Sequence, residues 1–196
     1  MLSLSRTPLI RPLFAAILVA LLQTAFLGYM IESRASILRN GTDVVLKTVP
    51  VDPRDLLRGD YVILAYDIST IAADKVTGGF PKESTDAQMS VRLEKQADGF
   101  WTVSEASFAD LTAKDGSVIA RTQPFFYYPT PDAPQAAISV EYGIERYYVP
   151  EGEGLVLEEA RNASALSVTA SVDDKGTMQI RLIAVDGKPL YEEPLY

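Results

Sequence analysis

The chain contains no cysteine and no histidine. Serine–histidine–aspartate and cysteine–histidine nucleophile systems are therefore closed to it. So are Cys/His zinc sites, iron–sulfur clusters and histidine-ligated haem. What remains is carboxylate, lysine, tyrosine, serine or threonine chemistry. Without cysteine, a domain outside the cytoplasm must hold together by packing and hydrogen bonding rather than by disulfides. Acidic residues are also absent from the first 31 positions. Setting aside Arg6 and Arg11, residues 32–196 hold 16 bases against 26 acids, a net charge of −10. An acidic domain repels nucleic acid and anionic lipid, so no nucleic-acid partner is expected.

What is present is ordinary for a folded protein. Hydrophobic residues make up 47% and charged residues 22% of 196 positions, enough for one domain with a real core plus a further segment. The further segment is at the front. Leu13 to Ile31 is a run of 19 residues without a charge. As a helix it spans roughly 28 Å, close to the hydrocarbon thickness of a bilayer. Gln23 and Thr24 are its only clearly polar members, and Tyr29 sits near the end where an amphipathic ring suits the interface. Arg6 and Arg11 precede the run, whereas Glu32, Arg34 and Arg39 make a mixed flank after it. The positive-inside tendency then places the N-terminus in the cytoplasm. A cleaved signal peptide, with Ser33-Arg34-Ala35 as its small-x-small site, is the competing reading. The apolar run is longer than the usual signal core of about 7–15 residues, so an uncleaved anchor is expected. The expected organisation is a cytoplasmic N-terminus at 1–11, a transmembrane signal anchor at 12–31, a juxtamembrane connector at 32–40 and an extracytoplasmic β-rich domain at 41–196.

Asn40-Gly41 breaks the helix, and Asp43 to Val49 is rich in β-branched residues, a strand. Asp52 and Pro53 can open one helical turn near 53–57. Tyr61 to Ile68 alternates as a second strand, with Val62, Leu64, Tyr66 and Ile68 on one face, taken as the core side. Residues 72–88 read as a surface loop. Asp98-Gly99, Asp115-Gly116, Asp174-Lys175-Gly176 and Asp186-Gly187 then punctuate strand-like runs as hairpin turns do. Phe125 to Tyr128, flanked by prolines, is an aromatic extended loop or edge segment, and for all four residues an exposed interface and ordinary core packing are equally open readings. Ile138 to Val149 is expected to form a strand pair or one bent strand, and residues 151–162 a short helix. The predicted fold is mainly β, an antiparallel sandwich or open barrel with one or two short helices, behind a single N-terminal transmembrane helix.

Two segments carry a resemblance. Gly59-Asp60-Tyr61-Val62-Ile63-Leu64-Ala65-Tyr66 fits, at Gly59, Asp60, Tyr61, Leu64 and Tyr66, the pattern that names the GDYXXLXY proteins. The stretch Tyr142-Gly143-Ile144-Glu145-Arg146-Tyr147-Tyr148-Val149-Pro150-Glu151-Gly152 is similar to that family as well, with Tyr142, Gly143, Glu145, Tyr148 and Glu151 as its marked positions. The resemblance implies a bacterial protein anchored in the inner (cytoplasmic) membrane, its domain periplasmic or extracellular. Such proteins tend to be encoded beside multi-pass membrane proteins or fused to them. No activity is implied.

The residues themselves favour structure over catalysis. Gly59 allows a tight turn and Asp60 accepts turn N–H groups, together feeding a core strand. A Ser/Lys protease similar to signal peptidase would need a serine three residues before Pro53, where Pro50 stands, so its nucleophile is missing. Carboxylate pairs such as Glu145 with Glu151, or Asp52 with Asp55, are the next enzymatic reading, but 26 acids make such pairs common by chance. The acidic clusters Asp173-Asp174, Glu151-Gly152-Glu153 and Glu158-Glu159 lack calcium-loop spacing. No metal and no cofactor is expected. The expected function is a non-enzymatic accessory or interaction subunit of a membrane assembly, with a multi-pass membrane protein as partner and the bilayer contacted through the helix. An anchored carboxylate-pair hydrolase and an extracytoplasmic ligand sensor are the alternatives.

Overall fold

The structure is a computed structural model, and it describes residues 10–50, 61–129, 136–150 and 152–194. The chain divides into two compact units, Met1–Ser36 and Ile37–Tyr196. The described residues of the first are helical. Helix α1 runs from Ile10 to Asn40, and from Pro12 onward it is long and apolar enough to cross a membrane. Two of its hydroxyls turn back onto the helix: Thr24 Oγ1 donates to the Ala20 carbonyl at 2.9 Å and Ser33 Oγ to the Met30 carbonyl at 2.9 Å.

Gly41 stops the helix. Its N–H donates to the Ile37 carbonyl at 2.8 Å. A Cβ at this position would lie 2.6 Å from that carbonyl oxygen and 2.9 Å from the Val172 oxygen. Only glycine fits so close a backbone approach.

In chain order the strands of the second unit are β1 Thr42–Val49, β2 Tyr61–Ile63, β3 Ala65–Tyr66, β4 Thr70–Ala72, β5 Val76–Thr77, β6 Thr85–Ala87, β7 Ser90–Lys95 and β8 Trp101–Ser107. There follow β9 Ser117–Arg121, β10 Phe125–Tyr127, β11 Ala137–Ser139 and β12 Arg146–Tyr148. Helix α2, Gly154–Asn162, precedes β13 Leu166–Val172, β14 Met178–Val185 and β15 Lys188–Glu192. An antiparallel five-stranded sheet has the order β15-β14-β13-β1-β3, and a four-stranded sheet the order β5-β8-β7-β9. Three two-stranded ribbons, β10-β6, β11-β4 and β12-β2, complete the β structure of the described residues. The fold is mainly β and largely antiparallel, as the turn spacing predicts; the departure is the short parallel pair β5–β8.

One core joins these sheets. Val44 and Leu46 of β1, Val168 and Ala170 of β13, Val91 and Leu93 of β7, and Leu157 of α2 are all fully buried in a single cluster. Alternation explains the strand contributions, since every second residue of β1 from Val44 points inward. Asp98-Gly99, Asp174-Lys175-Gly176 and Asp186-Gly187 do connect paired neighbours β7–β8, β13–β14 and β14–β15. At the last of these Asp186 and Gly187 both take positive φ, 50° and 74°, the geometry that matches the twist of a two-residue hairpin.

Four expectations need correcting. Asp115-Gly116 is a turn but not a hairpin, because β9 pairs with the far edge of β7 instead of with β8. The stretch 72–88 is no plain loop: it holds a 3-10 turn at Ala73–Lys75 and the strands β5 and β6, too short to show any periodicity. Residues 61–68 do not form one strand, since the chain changes partner at Leu64, β2 pairing with β12 and β3 with β1. A 3-10 turn, Asp67–Ser69, follows. Nor do residues 138–149 pair with each other: β11 goes to β4 and β12 to β2. The helix expected from residue 151 begins at Gly154. The turn expected near 53–57 lies outside the described residues.

Candidate functional site

The two segments that carry the resemblance are neighbours in space. Strands β2 and β12 pair antiparallel, Tyr61 opposite Tyr148, Val62 opposite Tyr147 and Ile63 opposite Arg146. One residue further on, the Leu64 N–H donates to the Glu145 carbonyl at 2.8 Å. Gly59, Asp60 and Glu151 lie outside the described residues, as do Asp52 and Asp55. The other marked positions, Tyr61, Leu64, Tyr66, Tyr142, Gly143, Glu145 and Tyr148, meet at this one junction.

Its inner side is closed by two tyrosines that reach across in opposite directions. Tyr66 and Tyr142 are both 1% exposed. The Tyr66 hydroxyl donates to the Ile144 carbonyl at 2.6 Å, and the Tyr142 hydroxyl to the Ile68 carbonyl at 2.9 Å. Each phenol thus satisfies a carbonyl on the segment that carries the other, as a buried polar group must. Burial pushes both phenols well above the ordinary tyrosine value, with the negative charge of Glu145 second. Both are donors, not bases. Leu64 packs in the same core, and α2 locks the ribbon from behind. There the buried Arg161 donates Nη1–H to the Ile63 carbonyl at 2.6 Å and binds Asn162 Oδ1 at 3.2 and 3.3 Å.

The turn before β12 is made by its own side chains. Glu145 accepts the Tyr142 N–H at 2.6 Å and the Gly143 N–H at 2.8 Å, one on each carboxylate oxygen. Gly143 sits at φ +85°, a left-handed conformation that side chains other than glycine adopt only with strain. Both carboxylate oxygens being engaged, Glu145 is built as a turn brace. Among the described residues no group of three or more Asp or Glu could hold a metal ion.

The outer side differs. Tyr148 is 71% and Ile63 41% exposed. Tyr61 tilts against Tyr148 with ring centroids 5.9 Å apart, and the Arg146 guanidinium lies 6.0 Å from the Tyr61 centroid. The ribbon therefore shows an aromatic and aliphatic face with one cation on it. Tyr147, on the inward side, packs with its ring 6.0 Å from that of Tyr191; burial pushes its phenol up, helped by Glu193. Tyr191 donates its hydroxyl to Glu153.

The aromatic segment splits in two. Tyr127 is buried and Phe125 half-buried, Phe108 lying 5.3 Å from Tyr127 and 6.5 Å from Phe125 between centroids. Phe126 and Tyr128 face outward, 4.7 Å apart. Strand alternation decides which is core and which is surface.

Between the junction and the Gln123–Phe125 stretch lies a cleft of about 520 Å³. Its wall contains Ser69, Gln123 and Glu141, none of which stands out in the sequence. Gln123 is tied to the cleft by its N–H, which donates to the Glu141 carbonyl at 2.6 Å. A polar residue beside a proline carries no periodic signal, and only the packing brings these three together.

An apolar helix of membrane-spanning length followed by a mainly β unit is the class of protein that this architecture defines. The family model of the GDYXXLXY protein matches residues 23–182, so the chain belongs to that family. The match covers both segments of the junction. Comparison with curated proteins gave no match, and neither did comparison with solved structures.

Proposed function

We propose that the chain is a single-pass, membrane-anchored interaction subunit. In this reading α1 sits in the cytoplasmic membrane of a bacterial cell with its N-terminus inside, and the β unit works on the far side, periplasmic or extracellular. There it docks against a multi-pass membrane protein. The anchor is supported by the length and apolarity of the helix and the orientation by Arg6 and Arg11 before it.

The observation that carries the interaction role is the outward face of the β2–β12 ribbon. Tyr61, Tyr148, Arg146 and Ile63 form a patch in which an aromatic pair, an arginine and an aliphatic side chain are presented on a backbone fixed from within. Tyrosine and arginine dominate the energetics of protein interfaces, and rigid presentation lowers the cost of ordering them. The inner half of the same junction supports a non-enzymatic reading, because its phenols and carboxylate are all committed to main-chain groups.

The test is cross-linking of tagged full-length protein in native membranes, followed by identification of what co-purifies. A multi-pass membrane protein is expected with wild type and is expected to be lost in Tyr148→Ala, with melting unchanged. Equal capture by both would remove the ribbon face from the interface, and no reproducible partner at all would defeat the proposal.

A further inference from the structure

The cleft beside the junction is built in a particular way. Runs of consecutive residues line it, the longest being Ile63–Tyr66, Gln123–Phe125 and Ser139–Glu141. Successive residues of an extended chain point to opposite sides. A wall made of consecutive residues therefore presents main chain along with side chains. The first of these runs ends in β3, the terminal strand of the five-stranded sheet, which has a strand partner on one edge only among the described residues. Such an edge is a template for one more extended chain.

The chemistry of the wall narrows what that chain is. Its floor is mostly apolar, with Val49, Ala65, Phe125 and Val140. Ser69 Oγ is buried there without a hydrogen-bond partner. Glu141 is exposed on the rim and takes part in none of the ion pairs seen at Glu105, Asp110 and Asp43. Arg146, in the wall of the adjoining hollow, lies over the Tyr61 ring at 6.0 Å. A second hollow of about 500 Å³ continues the first, sharing Ile63, Gln123, Glu141 and Glu145 with it. The wall thus offers an apolar floor, one exposed carboxylate and a free strand edge, in a volume within the range of about 300–1,000 Å³ that binding pockets occupy.

We infer that the cleft takes an extended segment of a polypeptide partner, laid along the free edge of β3. An apolar side chain enters the floor, and a lysine or arginine meets Glu141. This inference rests on the interaction reading above and names the kind of segment that would bind. Main-chain hydrogen bonds to a strand edge supply affinity, and alternate side chains supply selectivity. The net charge of −10 on residues 32–196 steers a cationic segment toward the domain.

The probe is a short, blocked, fluorescently labelled peptide of alternating leucine and lysine, with a leucine–glutamate peptide of equal length as control. Binding is read by anisotropy on full-length protein in nanodiscs of zwitterionic lipid, at about 0.15 M salt so that loose charge attraction is screened. Ala65→Trp fills the cleft and keeps the net charge; Ser139→Trp blocks the opposite wall should the first variant melt early. Saturable binding of the lysine peptide is expected, weakened about tenfold or more by either tryptophan and a few-fold by Glu141→Gln, with no binding of the glutamate peptide. Equal affinity in the tryptophan variants, or equal binding of both peptides, would overturn the inference. Failures are separable. If Tyr148→Ala abolishes membrane capture while the tryptophans change neither capture nor peptide binding, the cleft falls and the interaction reading stands. If the lysine peptide binds as expected but membranes yield no partner, the interaction reading falls alone.

Discussion

Two regions of the β unit bury polar groups and satisfy them by different physics. At the junction of the motif segments, Tyr66 and Tyr142 hand neutral hydroxyls to main-chain carbonyls. In the four-stranded sheet the buried Arg92 is held by charge. It donates to Glu105 at 3.0 Å, to Ser117 Oγ at 3.0 Å and to the Thr112 carbonyl at 2.7 Å. Glu105 also takes bonds from Thr77 and Lys114. Those partners, Arg92 first, hold its carboxyl down to about 2. A neutral lock is indifferent to salt and acid but cannot lose its protons; an ionic node is the reverse. The same contrast separates roles. The region that fixes the motif segments is insensitive to mild changes outside, as the proposed interaction role of its outer face requires, while the ionic node lies in the other sheet.

The largest effect should come from the neutral lock. Tyr66→Phe and Tyr142→Phe each orphan a buried carbonyl, and each is expected to cost about 1–3 kcal/mol, the double variant more than either. Urea denaturation of the full-length protein in detergent reads this as a lower midpoint at unchanged slope. A neutral Tyr66→Phe would break the comparison, since the hydroxyl would then carry no structural load. Arg92→Met is expected to cost a similar amount, about 1–3 kcal/mol, by stranding the Thr112 carbonyl and Ser117. Next comes Gly143→Ala, about 1–2 kcal/mol, because a side chain must adopt the left-handed conformation there.

The pH dependence sharpens the contrast, and its sign follows from the direction of each shift. Tyr66 and Tyr142 titrate higher folded than unfolded, so their contribution is full below the unfolded value of about 10 and is lost as pH rises beyond it. Glu105 titrates lower folded than unfolded. Its contribution is full above the unfolded value of about 4.3 and is lost as pH falls toward about 2. Wild type should therefore lose midpoint at both ends. Glu105→Gln should flatten the acid limb alone, and Tyr66→Phe should reduce the alkaline limb alone. An acid limb that persists in Glu105→Gln would place the acid-sensitive node elsewhere. This is the smallest of the effects, because Glu105 is solvent-screened.

How much of this was legible in the sequence follows from the range of the forces involved. Three hairpin turns built on aspartate and glycine were readable because turn chemistry is local. So was the inward face Val62, Leu64, Tyr66 and Ile68, because strand parity is local too; all four are buried. The junction itself was not, since Tyr66 and its acceptor are 78 residues apart and no local signal selects that partner. Arg92 is buried together with Ser90, Val91 and Leu93 on an interior strand, and its partners Glu105, Thr112 and Ser117 stand 13, 20 and 25 residues further on, so no local signal marks it as a buried charge. The break at Leu64 was hidden for the same reason: a change of pairing partner leaves no mark on a run that stays β-branched and aromatic.

The most direct test puts the two faces of one ribbon against each other. Tyr66→Phe and Tyr148→Ala are compared in full-length protein for urea midpoint and for cross-linked partner recovered from membranes. Tyr66→Phe is expected to lower the midpoint yet capture normally where still folded, whereas Tyr148→Ala keeps the midpoint and loses capture. Loss of stability in Tyr148→Ala together with normal capture would contradict the division of roles, because the outer face would then be part of the scaffold and not of an interface.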